Sequence, residues 1–225
     1  MEDYGLGLAL FDYIPVALSA LGLYLLAGLL SQVLPTARPL MLAAVALVAA
    51  GGLSKASWKL VWALSHSNIE LLSHLLFILM APGMLIMACH VGSASYRWAG
   101  GNAPVKPALW AALLIAPIMA GSLVLGMTQE GRAWFFLLLA AASVANISMS
   151  TLLIRLSWRL RDRVTALIFL FSILIILSLS GLSRISAGSA PLQWLAECLN
   201  TLAHGSFALA VWRLRRVIPS TNATV

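Results

Sequence analysis

The side chains best suited to chemistry in this chain lie within apolar stretches. Glu197, Asn200 and His204 are spaced three and four residues apart, which places them on one face of a helix. A carboxylate and an imidazole on one face can exchange protons or bind a polar ligand. An ionisable group at mid-bilayer costs on the order of 2.5–3.5 kcal/mol, so such groups usually face other helices or water. We therefore predict an intramembrane binding site that includes these three residues.

Two of the chain's three lysines, Lys55 and Lys59, fall four residues apart in another apolar stretch. Lys59 is near the end of that stretch, and its flexible stem can carry the ammonium group to the membrane interface. Lys55 lies one turn deeper and needs an acidic partner or a hydrated cavity. We predict that Lys55 pairs with Glu197 or Glu70.

Glu70 and His74 form a second candidate pair, because a spacing of four residues places them on one helix face. They could bind a ligand or handle protons together. A structural interpretation is also open, because the segment from Ser67 to Glu70 matches a capping box, in which the serine and the glutamate close the first turn of a helix.

The composition places these residues in a membrane. Of 225 residues, 61% are hydrophobic and 9% are charged, whereas soluble domains carry about 25% charged residues. Apolar runs of about 20 residues, the length that crosses a bilayer, recur along the whole chain. We predict an all-α integral membrane protein, a single domain over residues 1–225, with seven transmembrane helices at about 13–35, 39–64, 68–94, 107–127, 133–156, 163–187 and 191–214.

The basic residues predict the orientation of these spans. Ten of them fall at span ends and in connecting or terminal segments on one side, whereas Arg132 is alone in the loops of the other side. Basic loops stay cytoplasmic, so we expect the N-terminus outside, the C-terminus inside, and a multi-pass protein of the inner (plasma) membrane. The acidic residues near the outer span ends are expected outside the membrane, namely Glu2, Asp3, Asp12 and Glu130.

A short internal similarity indicates a repeat. Residues 51–57 share four identities with residues 180–186, and the match aligns Lys55 with Arg184. The predicted repeats cover residues 13–94 and 133–214, joined by a linker helix at 107–127, as in parallel repeats related by an axis along the membrane normal. Arg184 would then pair with the second glutamate. This arrangement predicts an outward-facing polar pocket between the second, third, sixth and seventh spans.

Pro82 and Gly83 lie in the middle of the third span. Proline removes one helical hydrogen bond and clashes with the preceding turn, which predicts a kink. The kink could gate the pocket, or it could be a static bend of the kind that is common in membrane helices.

The leading functional hypothesis is a protein that binds, and transports or senses, a small anionic or zwitterionic compound. An intramembrane acid–base enzyme acting on a lipid headgroup and a structural or assembly subunit are the alternatives. We expect no cofactor and no metal, because the histidines do not pair at one depth for haem and no metal-site signature occurs. The expected partners are the lipid bilayer and, as open alternatives, a second copy or another membrane subunit; no nucleic acid is expected.

Overall fold

The computed structural model describes residues 5–101, 106–129, 131–182 and 190–218, without the side chains of 180–182. Throughout these residues the protein is helical, and no strand occurs among them. A 3-10 turn, Pro35–Ala37, precedes the third of eight helices, which are α1 (Leu6–Phe11), α2 (Tyr13–Leu30), α3 (Arg38–Ser65), α4 (Glu70–Trp98), α5 (Pro107–Thr128), α6 (Ala133–Arg159), α7 (Arg163–Leu182) and α8 (Ala190–Val217).

The seven long helices, α2 to α8, match the seven predicted spans. Five stretches are long and apolar enough to cross a membrane: α1 with α2, the 3-10 turn with α3, α4, α5 and α6. The protein is therefore a multi-pass helical membrane protein. That α7 and α8 also cross the membrane stays a prediction; α8 has 28 residues, but polar side chains interrupt its apolar character.

Turn residues explain where several helices end. His66 adopts a left-handed conformation (φ 52°) directly after α3, and its N–H closes the last turn by donating to the carbonyl of Trp62 at 2.9 Å. Gly100 and Gly131, with φ of 85° and 136°, lie in the connections after α4 and before α6, in a region of backbone conformation that glycine tolerates best. These short connections make neighbouring helices antiparallel.

The helices pack in a closed order around a core of leucine, methionine and alanine. Helix α2 contacts α3 and α8, α4 contacts α3 and α6, and α7 contacts α6 and α8. Helix α5, the predicted linker, packs outside this ring against α4 and α6, and only 11% of its most apolar stretch is buried. The predicted internal repeat stays a prediction, because most of its second motif lies outside the described residues.

Glycine allows two of the closest helix contacts. A Cβ atom at Gly51 of α3 would lie 2.6 Å from the carbonyl oxygen of Leu76 in α4. A Cβ atom at Gly83 of α4 would lie 2.8 Å from the carbonyl oxygen of Ala44 in α3. Because small residues let membrane helices approach closely, these glycines fix the spacing between α3 and α4.

Candidate functional site

A cluster of three charged residues joins the α1–α2 junction, α3 and α8 at one end of the bundle. The Lys59 ammonium nitrogen lies 2.6 Å from Glu197 Oε1 and 3.1 Å from Asp12 Oδ2. The three side chains are only 10% to 13% exposed. We call Asp12, Lys59 and Glu197 the charged triad.

Aromatic and hydroxyl contacts position the triad. The ring of Phe11, next to Asp12, packs against Trp194 of α8 with 5.6 Å between ring centroids. On the other flank, the hydroxyls of Tyr13 and Ser57 are hydrogen-bonded at 3.0 Å, which ties the start of α2 to α3. Asp12, which lies between Phe11 and Tyr13, is therefore held between α3 and α8, where its carboxylate contacts Lys59.

Helix α8 presents a stripe of polar atoms beside the triad. Gln193 Oε1, Glu197 Oε2 and Thr201 Oγ1 are buried, and none has a hydrogen-bond partner among the described residues. Their spacing of four residues places them on one helix face. We call these three residues the polar stripe. Because buried polar groups normally have a partner, the polar stripe has capacity to bind water or a ligand.

The cation that contacts Glu197 is Lys59 rather than the predicted Lys55. Lys55 donates to the hydroxyl of Ser73 in α4 at 3.2 Å and lies 3.8 Å from the ring centroid of Trp58. The prediction that Lys55 pairs with Glu197 is therefore wrong. The reason is register: Lys59 is one turn closer to the helix end, at the level of the second turn of α8.

The sequence did not predict that Asp12 and Lys59 meet. It placed Asp12 on the outer side and let the Lys59 stem carry its ammonium group to the membrane interface, and the depth of both groups in the membrane stays a prediction. The apolar sequence LGLALF forms helix α1 before Asp12, so Asp12 is the seventh residue of a continuous apolar stretch that begins at Leu6. That run of six apolar residues before Asp12 is the sequence signal that identifies a buried acid. Gln193 and Thr201 were also missed, and their spacing around Glu197 is the corresponding signal.

Asn200 and His204 lie on α8 and are half-buried. Their spacing from Glu197 places them on the same helix face as that residue, as predicted. Their roles in binding stay predictions. Arg184 lies outside the described residues. The predicted pocket between the second, third, sixth and seventh spans stays a prediction. The triad itself joins the α1–α2 junction to α3 and α8.

Glu70 and His74 are exposed and are not part of the triad. Glu70 is the first residue of α4, and its N-cap residue is Ile69, which makes no side-chain capping hydrogen bond. The predicted capping box is therefore wrong. His74 packs edge-on against Trp134 of α6 with 5.1 Å between ring centroids, a contact that explains its position without a ligand.

Pro82 lies inside α4, which continues as a helix on both sides of it. Gly83 lies at the close α3–α4 contact, so packing is sufficient to explain a glycine there. A gating role for this pair stays a prediction.

A cavity of about 230 Å³ lies at the opposite end of the bundle from the triad. It lies between the C-terminal ends of α2 and α8 and the beginning of α3. The residues that line it are Tyr24, Gly28, Ser31, Arg38, Leu42 and Arg215. None of the predicted binding residues lines this cavity.

No protein family, curated protein or solved structure matches the chain.

The triad holds two carboxylates but one cation. No second cation contacts either carboxylate among the described residues, and no group of histidine, cysteine and acidic residues in that part of the chain could hold a metal ion. With all three groups ionised, the triad carries one net negative charge in a region of low dielectric constant, where an uncompensated charge is costly. Binding of a proton or of a ligand cation would compensate it.

Proposed function

We propose that this membrane protein binds a proton together with a small zwitterionic compound at the charged triad, as part of transport or sensing. The observation that carries the proposal is the contact of one lysine with two carboxylates from separate helices. A proton neutralises the surplus charge, and the amine of a zwitterion can replace that proton. The polar stripe supplies additional hydrogen-bonding groups.

The charge balance favours a zwitterion over a simple anion. Lys59 already contacts two carboxylates, so a second anion at its ammonium group would meet a site with surplus negative charge. A ligand that carries an amine as well as a carboxylate can contact Glu197 with one end and a neighbouring cation with the other. Lys55 lies one helical turn from Lys59 on the same helix and would be such a cation if it exchanged its contact with Ser73 for the ligand.

Few titratable side chains lie near the triad on the elements that carry it. Lys55 lies on the same helix as Lys59, Tyr13 follows Asp12, and His204 follows Glu197 by two turns of α8. Helix α7, which packs against α8, contributes no acidic or basic side chain to this end within its described residues. His66, Glu70 and His74 also lie at this end but are exposed and outside the triad, so Asp12 and Glu197 are the carboxyl groups that the triad variants test.

Infrared difference spectroscopy on the purified protein tests the proton. Spectra recorded at acidic and neutral pH should show a protonated-carboxyl band that Glu197→Gln and Asp12→Asn each alter. The matched control is Glu70→Gln, which changes an exposed glutamate at the same end and should leave that band unchanged. If neither triad variant alters the band, the proposal is wrong.

Thermal unfolding with a panel of amino acids tests the zwitterion. One or more of them should raise the melting temperature of the unsubstituted protein and of Glu70→Gln, but not that of Glu197→Gln. An unchanged melting temperature with every amino acid would contradict binding of α-amino acids.

A structural subunit is the second candidate, and the small exposure of the triad favours it. In that case the ion pairs only hold α1, α3 and α8 together, and Glu197→Gln lowers the melting temperature without altering proton or ligand binding. The enzyme alternative has no such support, because no described hydroxyl or thiol group is hydrogen-bonded to either carboxylate of the triad.

A further inference from the structure

The cavity at the other end of the bundle carries two cationic side chains from different helices. Arg38 is the first residue of α3, and Arg215 lies in the last turn of α8. Neither guanidinium makes an ion pair or a hydrogen bond with a described residue, and both side chains are exposed. Two permanent charges therefore face one cavity with their hydrogen-bonding capacity unused.

The remaining lining groups suit a phosphate ester. The Ser31 hydroxyl donates to the carbonyl of Gly28 at 2.8 Å, which leaves its oxygen available as an acceptor for a hydroxyl group. The Tyr24 hydroxyl makes no hydrogen bond with a described residue. Guanidinium groups bind phosphate oxygens through two parallel hydrogen bonds, so two of them can hold one phosphate group from both sides.

Charge at this end of the bundle is strongly positive. The only acidic residue at this end among the described ranges is Asp162, and its carboxylate already accepts hydrogen bonds from Thr165 and lies 3.8 Å from Arg213. No described acid is therefore available to neutralise Arg38 or Arg215. A phosphate anion can neutralise both guanidinium groups.

The location indicates that this anion carries acyl chains. The cavity lies where α2 and α8 end and α3 begins, and the ends of membrane-spanning helices meet the headgroup layer of a bilayer. On α2, Leu21 and Tyr24 are 49% and 54% exposed, one turn apart, and they form an apolar surface that leads from the cavity toward the middle of the bundle. Basic pockets between helix ends are known sites for anionic lipid headgroups.

We propose that the Arg38–Arg215 cavity binds the phosphate headgroup of an anionic phospholipid. The two guanidinium groups contact the phosphate, and the acyl chains lie along the exposed apolar face of α2. This site is separate from the charged triad and does not depend on the function proposed for it.

Native mass spectrometry of the full-length protein in detergent tests the proposal. The probes are phosphatidylglycerol, phosphatidylcholine with the same acyl chains, and inorganic phosphate. We expect phosphatidylglycerol to bind at least tenfold more tightly than phosphatidylcholine, and the double variant Arg38→Gln/Arg215→Gln to lose at least tenfold in affinity for phosphatidylglycerol.

The matched control is Arg155→Gln/Arg159→Gln, which removes the same charge from exposed arginines at the same end, outside the cavity. This control should bind phosphatidylglycerol within about twofold of the unsubstituted protein. A second variant, Arg38→Lys/Arg215→Lys, keeps the charge but loses the paired hydrogen bonds, and its affinity should lie between those of the unsubstituted protein and the glutamine variant.

Three results would overturn the proposal. Equal losses in the control and cavity variants would show that binding follows net charge alone. Equal binding of phosphatidylcholine would show that the anionic headgroup is not recognised. Displacement of phosphatidylglycerol by an equimolar concentration of inorganic phosphate would show that the cavity is a site for free phosphate. Because all substituted arginines are exposed, an unchanged melting temperature is expected and serves as the folding control.

Discussion

At the scale of single residues, charged side chains have different structural roles at the two ends of the bundle. Lys59 contacts two acids and holds three helices together, whereas Asp162 organises a turn. Removing one partner of a buried ion pair costs about 3–5 kcal/mol, because the other charge stays buried without compensation. Removing an exposed charge such as that of Glu70 costs much less stability, because no buried partner is left without compensation. Glu197→Gln should therefore lower the stability of the protein more than Glu70→Gln does.

Asp162 lies in the connection between α6 and α7, outside the membrane-spanning segments, and gives a pH prediction. Its carboxylate accepts hydrogen bonds from the Thr165 N–H at 3.1 Å and from the Thr165 hydroxyl at 2.5 Å. Burial raises the pKa of Asp162, but the Thr165 hydrogen bonds and the charge of Arg213 together hold that pKa below its ordinary value of 3.8.

A carboxyl group whose pKa is lowered by folding stabilises the folded state above its ordinary pKa, and this stabilisation is lost as the pH falls through the lowered value. The Asp162→Asn variant should therefore melt at a lower temperature than the unsubstituted protein at pH 6. The difference should shrink as the pH falls below about 4. Thermal unfolding in detergent at several pH values measures it, and a difference that grows toward acidic pH would contradict this role.

At the scale of elements, glycine sets the distance between α3 and α4. Gly51→Ala should destabilise the protein by about 1–3 kcal/mol, because the new methyl group would lie 2.6 Å from a backbone carbonyl oxygen that cannot rotate away. Chemical unfolding of the purified protein measures this loss. The change also moves α3, which carries Lys59.

The control for this prediction is Gly92→Ala on α4. There a Cβ atom would lie 3.8 Å from the end of the Leu152 side chain, an ordinary van der Waals distance. Alanine also has the higher helix propensity, so Gly92→Ala should leave stability unchanged or slightly raise it. Similar losses in both variants would show that close helix contact is not the reason for glycine at position 51.

At the scale of the whole molecule, the charges at the two ends predict the orientation in the membrane. In a background without Cys89 and Cys198, Ser67→Cys should react with a membrane-impermeant maleimide in intact cells, because the α3–α4 connection is predicted outside. Arg161→Cys, in the α6–α7 connection, should react only after the cells are opened. The opposite pattern would invert the topology and place the charged triad at the cytoplasmic face.

The sequence by itself determined the class of the protein and the approximate limits of its helices. Apolar runs and the turn residues between them predicted the seven long helices to within a few residues at most ends, because membrane helices depend on local hydrophobicity and length. It also identified Glu197 as a buried acid, since no cap or helix end explained a carboxylate there. Local patterns carry this information.

The tertiary structure decided which charges meet. The sequence contained two candidate lysines one turn apart, and only the relative height of α3 and α8 selected Lys59. Asp12 entered the site because the chain continues as a helix before it and packs against Trp194. Arg38 and Arg215 are 177 positions apart in the sequence, and only the packing of α2 between α3 and α8 places them on one cavity. Pairing between distant helices depends on their register and packing, which local hydrophobicity does not encode.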